Sequence, residues 1–316
     1  MPETIINGTR TPVTGSSPAG AEPRWRVVPS WPLSRRRTRR PRARRSLVTG
    51  LTALVLLTLY AVVVPLFDQT DTRVVDLAAY LTPPSFDHPF GTDLLGRDLF
   101  TRCAQGLRIS LALAAAAALV STVIGALVGT ISAAVGGWVD TLCMRVVDAA
   151  NALPHLLLGV VIAALWRGQW WAVVVSIGLT HWTQVARIVR SEVLHVRTSD
   201  HVAAAVVSGA TRVQVWATHL LPAVVPQTLI AVVLLLPHAV WHESALSFLG
   251  VGLPPNDPSL GTLLEDARSG ILAGGWWLLA FPGGFLTATC LAIAGIGGYV
   301  RDLAMPRRAV EAEVTR

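Results

Sequence analysis

Residues 47–67 read LVTGLTALVLLTLYAVVVPLF and contain no charged side chain. About 20 consecutive apolar residues are enough for a helix to cross a membrane, so this stretch predicts a first transmembrane helix. Five later apolar stretches predict further spans, at about 109–135, 144–166, 170–188, within 222–251, and at 276–300. The sequence therefore predicts an all-α fold, namely a polytopic membrane protein with about six transmembrane helices.

The composition supports lipid as the main solvent of the chain. Hydrophobic residues make up 52% of the 316 residues and charged residues 14%, against about 25% charged in a typical soluble domain. The net charge is +7, and ten arginines lie within residues 24–45, directly before the first span, in a window without an acidic residue. A basic block in this position retains a chain terminus in the cytoplasm and attracts anionic headgroups. It predicts contact with the lipid bilayer and no binding of nucleic acid.

The chain is predicted to form one transmembrane domain between two cytoplasmic tails. Residues 1–46 are rich in Pro, Arg, Thr and Ser, show no apolar period, and predict a disordered tail. The domain would cover residues 47–308, and residues 309–316 would form the second tail. Within it we expect a first span (47–67), an external segment (68–105) and a five-helix core (106–300) with a long cytoplasmic loop (200–222).

Arginines and tryptophans predict the orientation in the membrane. The arginines are concentrated in the N-terminal tail, around the 200–222 loop and near the C-terminus, so both termini and this loop are expected in the cytoplasm. Tryptophans favour membrane interfaces. Five of them would then form a belt at the external interface: Trp166, Trp170, Trp171, Trp276 and Trp277.

The residue inventory argues against an enzyme. The sequence has no lysine, which excludes an ordinary P-loop for ATP and a Schiff-base lysine, so any ATP hydrolysis would have to come from a partner. Cys103, Cys143 and Cys290 are widely spaced and form no CxxC motif, which argues against a disulfide framework and a zinc site. We therefore expect no catalytic residue and no cofactor.

The histidines within the predicted spans are dispersed along the sequence. His155, His181 and His238 fall on different spans. Metal ligands must converge in space, and a single sequence does not reveal convergence. We expect no metal site and interpret these residues as packed or hydrogen-bonded histidines.

The loop after the fourth span is the most informative segment. Residues 200–226 read DHVAAAVVSGATRVQVWATHLLPAVVP. The alanines favour a first short helix, Gly209 would break or bend it, and a second short helix would run from Ala210 to His219. Pro222 and Pro226 suit the start of the next span. Such an element could present a docking surface to another protein, or lie at the membrane interface as an amphipathic helix without a partner.

This loop resembles the EAA loop of ABC importer permeases. Ala204, Ala205, Gly209 and the group HLLP at 219–222 stand at that family's spacing, although Ala203 replaces the glutamate of its name. The resemblance extends over residues 85–308, through HPFGTDLLGRD at 88–98 and ESALSFLGVG at 243–252. These motifs are similar to those of the dipeptide, oligopeptide and nickel permease family.

The resemblance implies a type I ABC importer permease fold in the plasma membrane of a bacterium. It implies a permease subunit that imports di- or oligopeptides, or alternatively nickel or a metal chelate. A stand-alone secondary transporter is less favoured, because the spans contain few acidic residues. The implied partners are a second homologous permease, two ABC ATPase subunits and an external substrate-binding protein. The implied ATPase-coupling residues are Ala204, Ala205, Gly209, Ala210, His219 and Pro222.

Two further groups of polar residues have alternative interpretations. Glu243, with Ser244 and Ser247, lies near the external end of the fifth span, where it would belong to the transport pathway or an external gate, or would be a carboxylate hydrogen-bonded to its neighbours. The external residues Asp93, Arg97 and Asp98 would form a structural turn that re-enters the membrane, or would contact the binding protein directly.

Overall fold

The computed structural model describes residues 39–67 and 74–304, and helices are the only regular elements that span more than an isolated bridge in this part of the chain. Two shorter turns accompany them, a 3-10 turn at Leu77–Ala79 and a π-helical turn at Trp216–Leu220. The α-helices are α1 (Arg39–Phe67), α2 (Leu99–Val135), α3 (Gly137–Ala152), α4 (His155–Leu165), α5 (Trp170–Arg197), α6 (Asp200–Val207), α7 (Arg212–Val215), α8 (Leu221–Phe248), α9 (Leu260–Leu272) and α10 (Trp277–Ala304).

Five continuous helical stretches within the described residues are long and apolar enough to cross a membrane. They are 44–67, 99–135, 170–197, 212–248 and 277–303, and they confirm the first, second, fourth, fifth and sixth predicted spans. The second begins ten residues before its predicted start at Ile109, because the side chain of Asp98 accepts a hydrogen bond from the Thr101 amide and caps α2. Helix α2 therefore includes the last seven residues of the predicted external segment 68–105.

The third predicted span is not a single helix. Its residues form α3 and α4, whose axes differ by 86°. Leu153 between them has an extended backbone, with φ −85° and ψ 138°, and Pro154 follows it. Proline disfavours the helical conformation of the preceding residue and has no N–H to donate, so the helix breaks here. The prediction of one helix over 144–166 is wrong because it followed hydropathy and passed over this proline.

The bent pair α3–α4 nevertheless crosses the bundle. At its start, Asp140 binds Arg190 in the C-terminal half of α5. At its end, the Gly168 amide donates to the Gly252 carbonyl 3.2 Å away, beside the first turn of α5 and beyond the end of α8. The two ends of the pair thus lie at opposite ends of α5. Counting the pair as one span gives six, as the sequence predicted.

Helices α2 and α5 approach each other closely along small residues of α2. A Cβ on Gly125 would lie 2.5 Å from the Trp182 carbonyl oxygen, and one on Gly129 would lie 2.4 Å from the Ala186 carbonyl oxygen. Without a hydrophobic driving force between helices in lipid, close backbone packing is a main source of association. The small residues of α2 therefore fix the position of α5 against α2, and α5 leads directly into the α6–α7 segment.

Two features at the other end of the bundle differ from the predictions. Helix α9 lies between the fifth and sixth predicted spans, where no helix was predicted, and Ser259 and Thr262 form a capping box at its start. Trp166, Trp170, Trp171 and Trp276 are exposed, as expected for an interface belt. Trp277 is instead buried, and its indole N–H donates to the Thr92 carbonyl at 3.0 Å.

The predicted tails lie largely outside the described residues. Residues 1–38 and 305–316 fall in this category, as do residues 68–73 of the predicted external segment. The predicted disordered tail is wrong for residues 39–46, which form the start of α1. Arginine has a high helix propensity, and the apolar run that follows extends the helix into the basic block.

Candidate functional site

The α6–α7 segment is a helix–glycine–helix element. Gly209 has φ +91°, its amide donates to the Val206 carbonyl, and the Ala210 amide donates to the Ala205 carbonyl, each at 3.0 Å. These two bonds form the Schellman arrangement that ends a helix with a left-handed glycine. A Cβ at Gly209 would meet no atom of the described residues within 4 Å, so the position requires glycine for its backbone conformation and not for clearance within the chain.

The second half of the segment differs from the predicted helix over 210–219. Helix α7 begins only at Arg212, after a capping box in which the Thr211 hydroxyl accepts from the Gln214 amide and the Gln214 side chain accepts from the Thr211 amide. The chain then passes through the π-helical turn directly into α8, so residues 212–248 form one continuous helical span. The predicted helix thus does not end before the membrane, and Pro222 lies in the first turn of α8.

The α6–α7 segment is anchored on one face and exposed on the other. Val202, Val215 and Leu220 are buried in a cluster with residues of α5 and α2. On the outside, Val207 is 89% exposed and Val213 is 75% exposed. The predicted coupling residues Ala204, Gly209 and Pro222 are also exposed, and Ala205, Ala210 and His219 are partly exposed. The segment therefore offers an exposed surface on which small and apolar side chains lie beside the polar side chains of Arg212 and Gln214.

An open cavity lies beside this surface. It has a volume of about 710 Å³ and lies between the ends of α2 and α5 and the α6–α7 segment. Apolar side chains, Trp216 among them, form most of its wall, and Arg197 and Arg212 contribute two cationic groups. The Arg197 guanidinium donates to the Ala133 carbonyl at 2.9 Å, which ties the end of α5 to the end of α2. The cavity combines an apolar lining with positive charge.

Asp93 is the centre of a buried ion cluster on the opposite side of the bundle. Its carboxylate accepts from Arg97 Nε at 2.7 Å and from Arg102 Nη1. Arg102 Nη1 also donates to Asp266 of α9 at 3.0 Å, and Arg97 Nη2 lies 3.4 Å from the same carboxylate. Because Asp93, Arg97 and Arg102 are all buried, they are unavailable for direct contact with another protein. The geometry favours the structural turn over the alternative of a binding-protein contact.

Asp98 has a separate structural role. One carboxylate oxygen accepts from the Thr101 amide at 2.9 Å, and the other lies 3.0 Å from His88 Nδ1. The residue therefore caps α2 and fixes the turn that precedes it. All three predicted residues of this segment hold the 74–98 segment against the bundle.

Glu243 lies inside the protein and not on a surface. Glu243, Ser244 and Ser247 are all buried. The Ser247 hydroxyl donates to Glu243 Oε1 at 3.0 Å, and the Ser244 hydroxyl lies 3.3 Å from Oε2. Ser110 of α2 and Ser259 before α9 also contact the carboxyl. In this conformation, the structure favours a hydrogen-bonded internal carboxyl that joins α8 to α2 and α9, and none of the three residues lines an open pathway.

The histidines converge although they are far apart in sequence. His155, at the first residue of α4, lies beside His181 of α5 and His242 of α8. His242, and not His238, completes the group. The sequence carries no signal for this arrangement, because it depends on the bend that places α4 and on the packing of three separate helices.

The fold and these sites define a polytopic helical membrane protein with an exposed helix–glycine–helix segment at one end and an ion-paired cap at the other. The chain belongs to the family of binding-protein-dependent transport system inner membrane components, whose model matches residues 121–303. It is accordingly a membrane permease component of an ABC transport system, which works with partner subunits. The resemblance noted from its motifs is confirmed.

Relatives along most of the chain agree with this assignment. The dipeptide transport system permease protein of Bacillus subtilis is 34% identical over 269 residues, which cover 85% of this chain and 84% of that protein. The oligopeptide transport system permease protein of the same organism is 34% identical over 266 residues, which cover 84% of this chain and 87% of that protein.

Proposed function

We propose that this chain is one of two permease subunits of an ABC importer and that its cargo is a di- or oligopeptide. The observation that carries the proposal is the exposed α6–α7 segment, which continues without a break into the membrane-spanning α8. The names of the two Bacillus relatives support peptide as the cargo class. The chain itself catalyses no covalent step.

The ATPase subunits would dock on the α6–α7 segment. Val207 and Val213 are apolar and exposed. Burying apolar surface stabilises association, so this surface would be more stable against a protein partner than in water. The adjoining cavity would accept a projecting loop or helix end, with Arg197 and Arg212 opposite its acidic groups. ATP hydrolysis belongs to this partner in the proposal, since the chain has no lysine for a P-loop.

The proposed orientation places both termini in the cytoplasm of a bacterial cell, on the side of the α6–α7 segment. An even number of spans puts both termini on the same side, and six is even. Arg187, Arg190, Arg197 and Arg212 lie in or around the α6–α7 end of the bundle, which agrees with the positive-inside rule. Trp166, Trp170, Trp171 and Trp276 are exposed at the opposite end, whereas Trp138 and Trp216 are exposed near the α6–α7 end.

The remaining proposed partners are a second homologous permease and an external substrate-binding protein. Transport would proceed by alternating access, in which closure of the ATPase pair displaces the α6–α7 segments and the two permeases rock against each other. The Asp93 cluster would keep the external cap rigid during this motion, because all its charges are paired within the chain.

Uptake by the reconstituted complex tests the function. We expect proteoliposomes that contain both permeases, the ATPases and the binding protein to accumulate a labelled di- or oligopeptide in the presence of ATP. The isolated chain should neither hydrolyse ATP nor transport. Uptake of nickel or a metal chelate without peptide uptake would replace the cargo proposal by its alternative. Gradient-driven transport by the chain alone would contradict the ABC mechanism.

Accessibility of introduced thiols tests the orientation. In a chain whose three cysteines are replaced by alanine, Ser208→Cys and Ser269→Cys form a matched pair, since both serines are exposed and lie at opposite ends of the bundle. A membrane-impermeant reagent added to intact cells should modify only the variant at 269. Labelling of the variant at 208 from outside would reverse the proposed topology.

A further inference from the structure

Three imidazole rings meet between α4, α5 and α8. The ring centroids of His155, His181 and His242 are separated by 5.6 Å, 5.1 Å and 4.5 Å. One ring nitrogen from each can be chosen so that all three lie within 4.8 Å of one another. Among the described residues, this is the one group of three or more potential metal-ligating side chains with such spacing.

The spacing is close to that of a bound ion. Two imidazole nitrogens at 2.0–2.1 Å from one ion in tetrahedral geometry are about 3.4 Å apart. The nitrogens here need to move by little more than about 1 Å to reach that distance, which a change of ring rotation supplies. Three histidines with a fourth open position form a ligand set that borderline divalent metal ions such as Zn²⁺, Ni²⁺ and Co²⁺ prefer.

The hydrogen bonds of His181 support a ligand role. Its Nδ1 lies 3.2 Å from the Ile177 carbonyl and 2.9 Å from the Thr180 hydroxyl. A backbone carbonyl accepts only, so Nδ1 carries the proton and Nε2 keeps its lone pair. In metal-bound histidines, a hydrogen bond from the nitrogen that does not bind the metal usually fixes the tautomer and the ring orientation, and Nδ1 of His181 makes such a bond.

One side of the cluster is not covered by the described residues. His181 and His242 are buried, whereas His155 is exposed at the start of α4. A fourth ligand would therefore approach the ion from the side of His155. The positive end of the α4 dipole opposes a cation there, but it lowers affinity by no more than about fivefold. That effect is small against the affinity that three imidazole ligands confer.

We propose that His155, His181 and His242 form a binding site for one divalent transition-metal ion within the membrane-spanning part of the chain. The site is independent of the proposed cargo, because all three ligands are side chains of this chain. The site would hold either a resident ion of the permease or an ion that binds transiently during transport. Metal binding by the purified chain is therefore measurable without any transport assay.

The experiment measures binding of Co²⁺ and Zn²⁺ to the full chain, purified in detergent with an affinity tag that contains no histidine. His201 and His219 need to be removed first by His201→Ala and His219→Ala, because their rings are 5.5 Å apart on the α6–α7 segment and could bind an ion themselves. In this background we expect one equivalent of Co²⁺ with the ligand-field absorption of a tetrahedral site, and displacement of Co²⁺ by Zn²⁺.

Three variants and one control separate the site from nonspecific binding. His155→Ala, His181→Gln and His242→Gln should each weaken binding by more than about a hundredfold, since even loss of an outer-shell partner costs 10- to 100-fold. His238→Ala is the matched control, because it lies one turn away on α8 but outside the cluster. It should leave affinity unchanged.

The exposed position of His155 keeps the test decisive if a buried variant misfolds. Removal of an exposed ring at a helix start leaves the bundle packed, so His155→Ala alone can decide the matter. Absence of saturable binding in the background chain would overturn the proposal. Equal affinity of His155→Ala and the background chain would overturn it as well.

Discussion

Arg190 holds Asp140 through two parallel hydrogen bonds, from Nε to Oδ1 and from Nη2 to Oδ2, each 2.6 Å long. The Ser132 hydroxyl donates to the same carboxylate. The three residues lie on α5, α3 and α2, so this one carboxylate joins three helices where the bent pair begins. A planar guanidinium matches a carboxylate in this way and an ammonium group does not.

The first prediction follows from this geometry. Asp140→Asn and Arg190→Lys should each lower the stability of the purified protein, by about 1 kcal/mol because both groups are partly exposed. The exchange Asp140→Arg with Arg190→Asp should recover part of the loss. Thermal unfolding in detergent measures the effect. A single variant as stable as the native protein would show that the pair contributes nothing.

The second prediction concerns Gly209. Because its φ is +91° and a Cβ there would meet no atom of the described residues within 4 Å, Gly209→Leu should strain the backbone by about 1–2 kcal/mol with no clash at the Cβ. We expect the variant to insert normally, to lose co-purification with the ATPases, and to lose uptake. Gly209→Asn should be milder, since asparagine tolerates this conformation better.

Gly274 supplies the matched control for this position. It has φ +95° and equally open surroundings, but it lies after α9 at the other end of the bundle. Gly274→Leu should therefore impose a similar strain and leave ATPase binding intact. Normal assembly and uptake with Gly209→Leu would remove the coupling role from this residue. Membrane abundance of each variant, measured by immunoblot, separates loss of docking from loss of the protein.

The third prediction concerns the Asp93 cluster. Asp93→Asn removes the charge that Arg97 and Arg102 share and leaves two buried guanidinium groups with incomplete pairing. Breaking a buried pair typically costs about 3–5 kcal/mol, so abundance and thermal stability should fall strongly. Asp98→Ala removes a partly buried helix cap and should cost only about 1 kcal/mol. Similar small losses for both variants would contradict the central position of Asp93.

The fourth prediction separates the two interpretations of Glu243. If the carboxyl serves as an internal hydrogen-bonding group, Glu243→Gln should preserve abundance and uptake, because an amide can also bond to Ser244 and Ser247. Glu243→Ala should lower stability by about 1–3 kcal/mol, since it leaves buried hydroxyls without a partner. Uptake lost in a stable, abundant Glu243→Gln protein would favour the pathway or gate.

Hydropathy predicted most of the membrane architecture, because a lipid-embedded helix must be apolar over a fixed length. It placed five spans correctly and missed the break at Leu153 and Pro154, where a local backbone effect overrides an apolar pattern. It also missed α9, whose polar and apolar residues alternate around a short helix at the surface. Neither feature changes the mean hydropathy on which the span prediction depends.

The polar residues were harder to interpret than the spans. Sequence identified Asp93, Arg97 and Glu243 as unusual, but it did not show that their partners lie within the same chain. Asp266 is 169 residues from Arg97, and Ser110 is 133 residues from Glu243, so only the folded arrangement reveals these contacts. The histidine cluster escaped prediction for the same reason. Gly209 was predictable, since a glycine between two short helices signals a positive φ locally.

The unbroken passage from α7 into α8 makes residues 212–248 a single lever. At 1.5 Å per residue its 37 residues extend about 55 Å, so a tilt of about 10° around its middle moves each end by about 5 Å in opposite directions. Pro222, Pro226 and Pro237 lie within this stretch, and each lacks the N–H of a helical hydrogen bond, so the helix can bend at these points. His242 and Glu243 lie beyond the last of them. In the proposed mechanism, displacement of Val213 by a docked partner would be carried along this helix to the imidazole of His242 and its two neighbours.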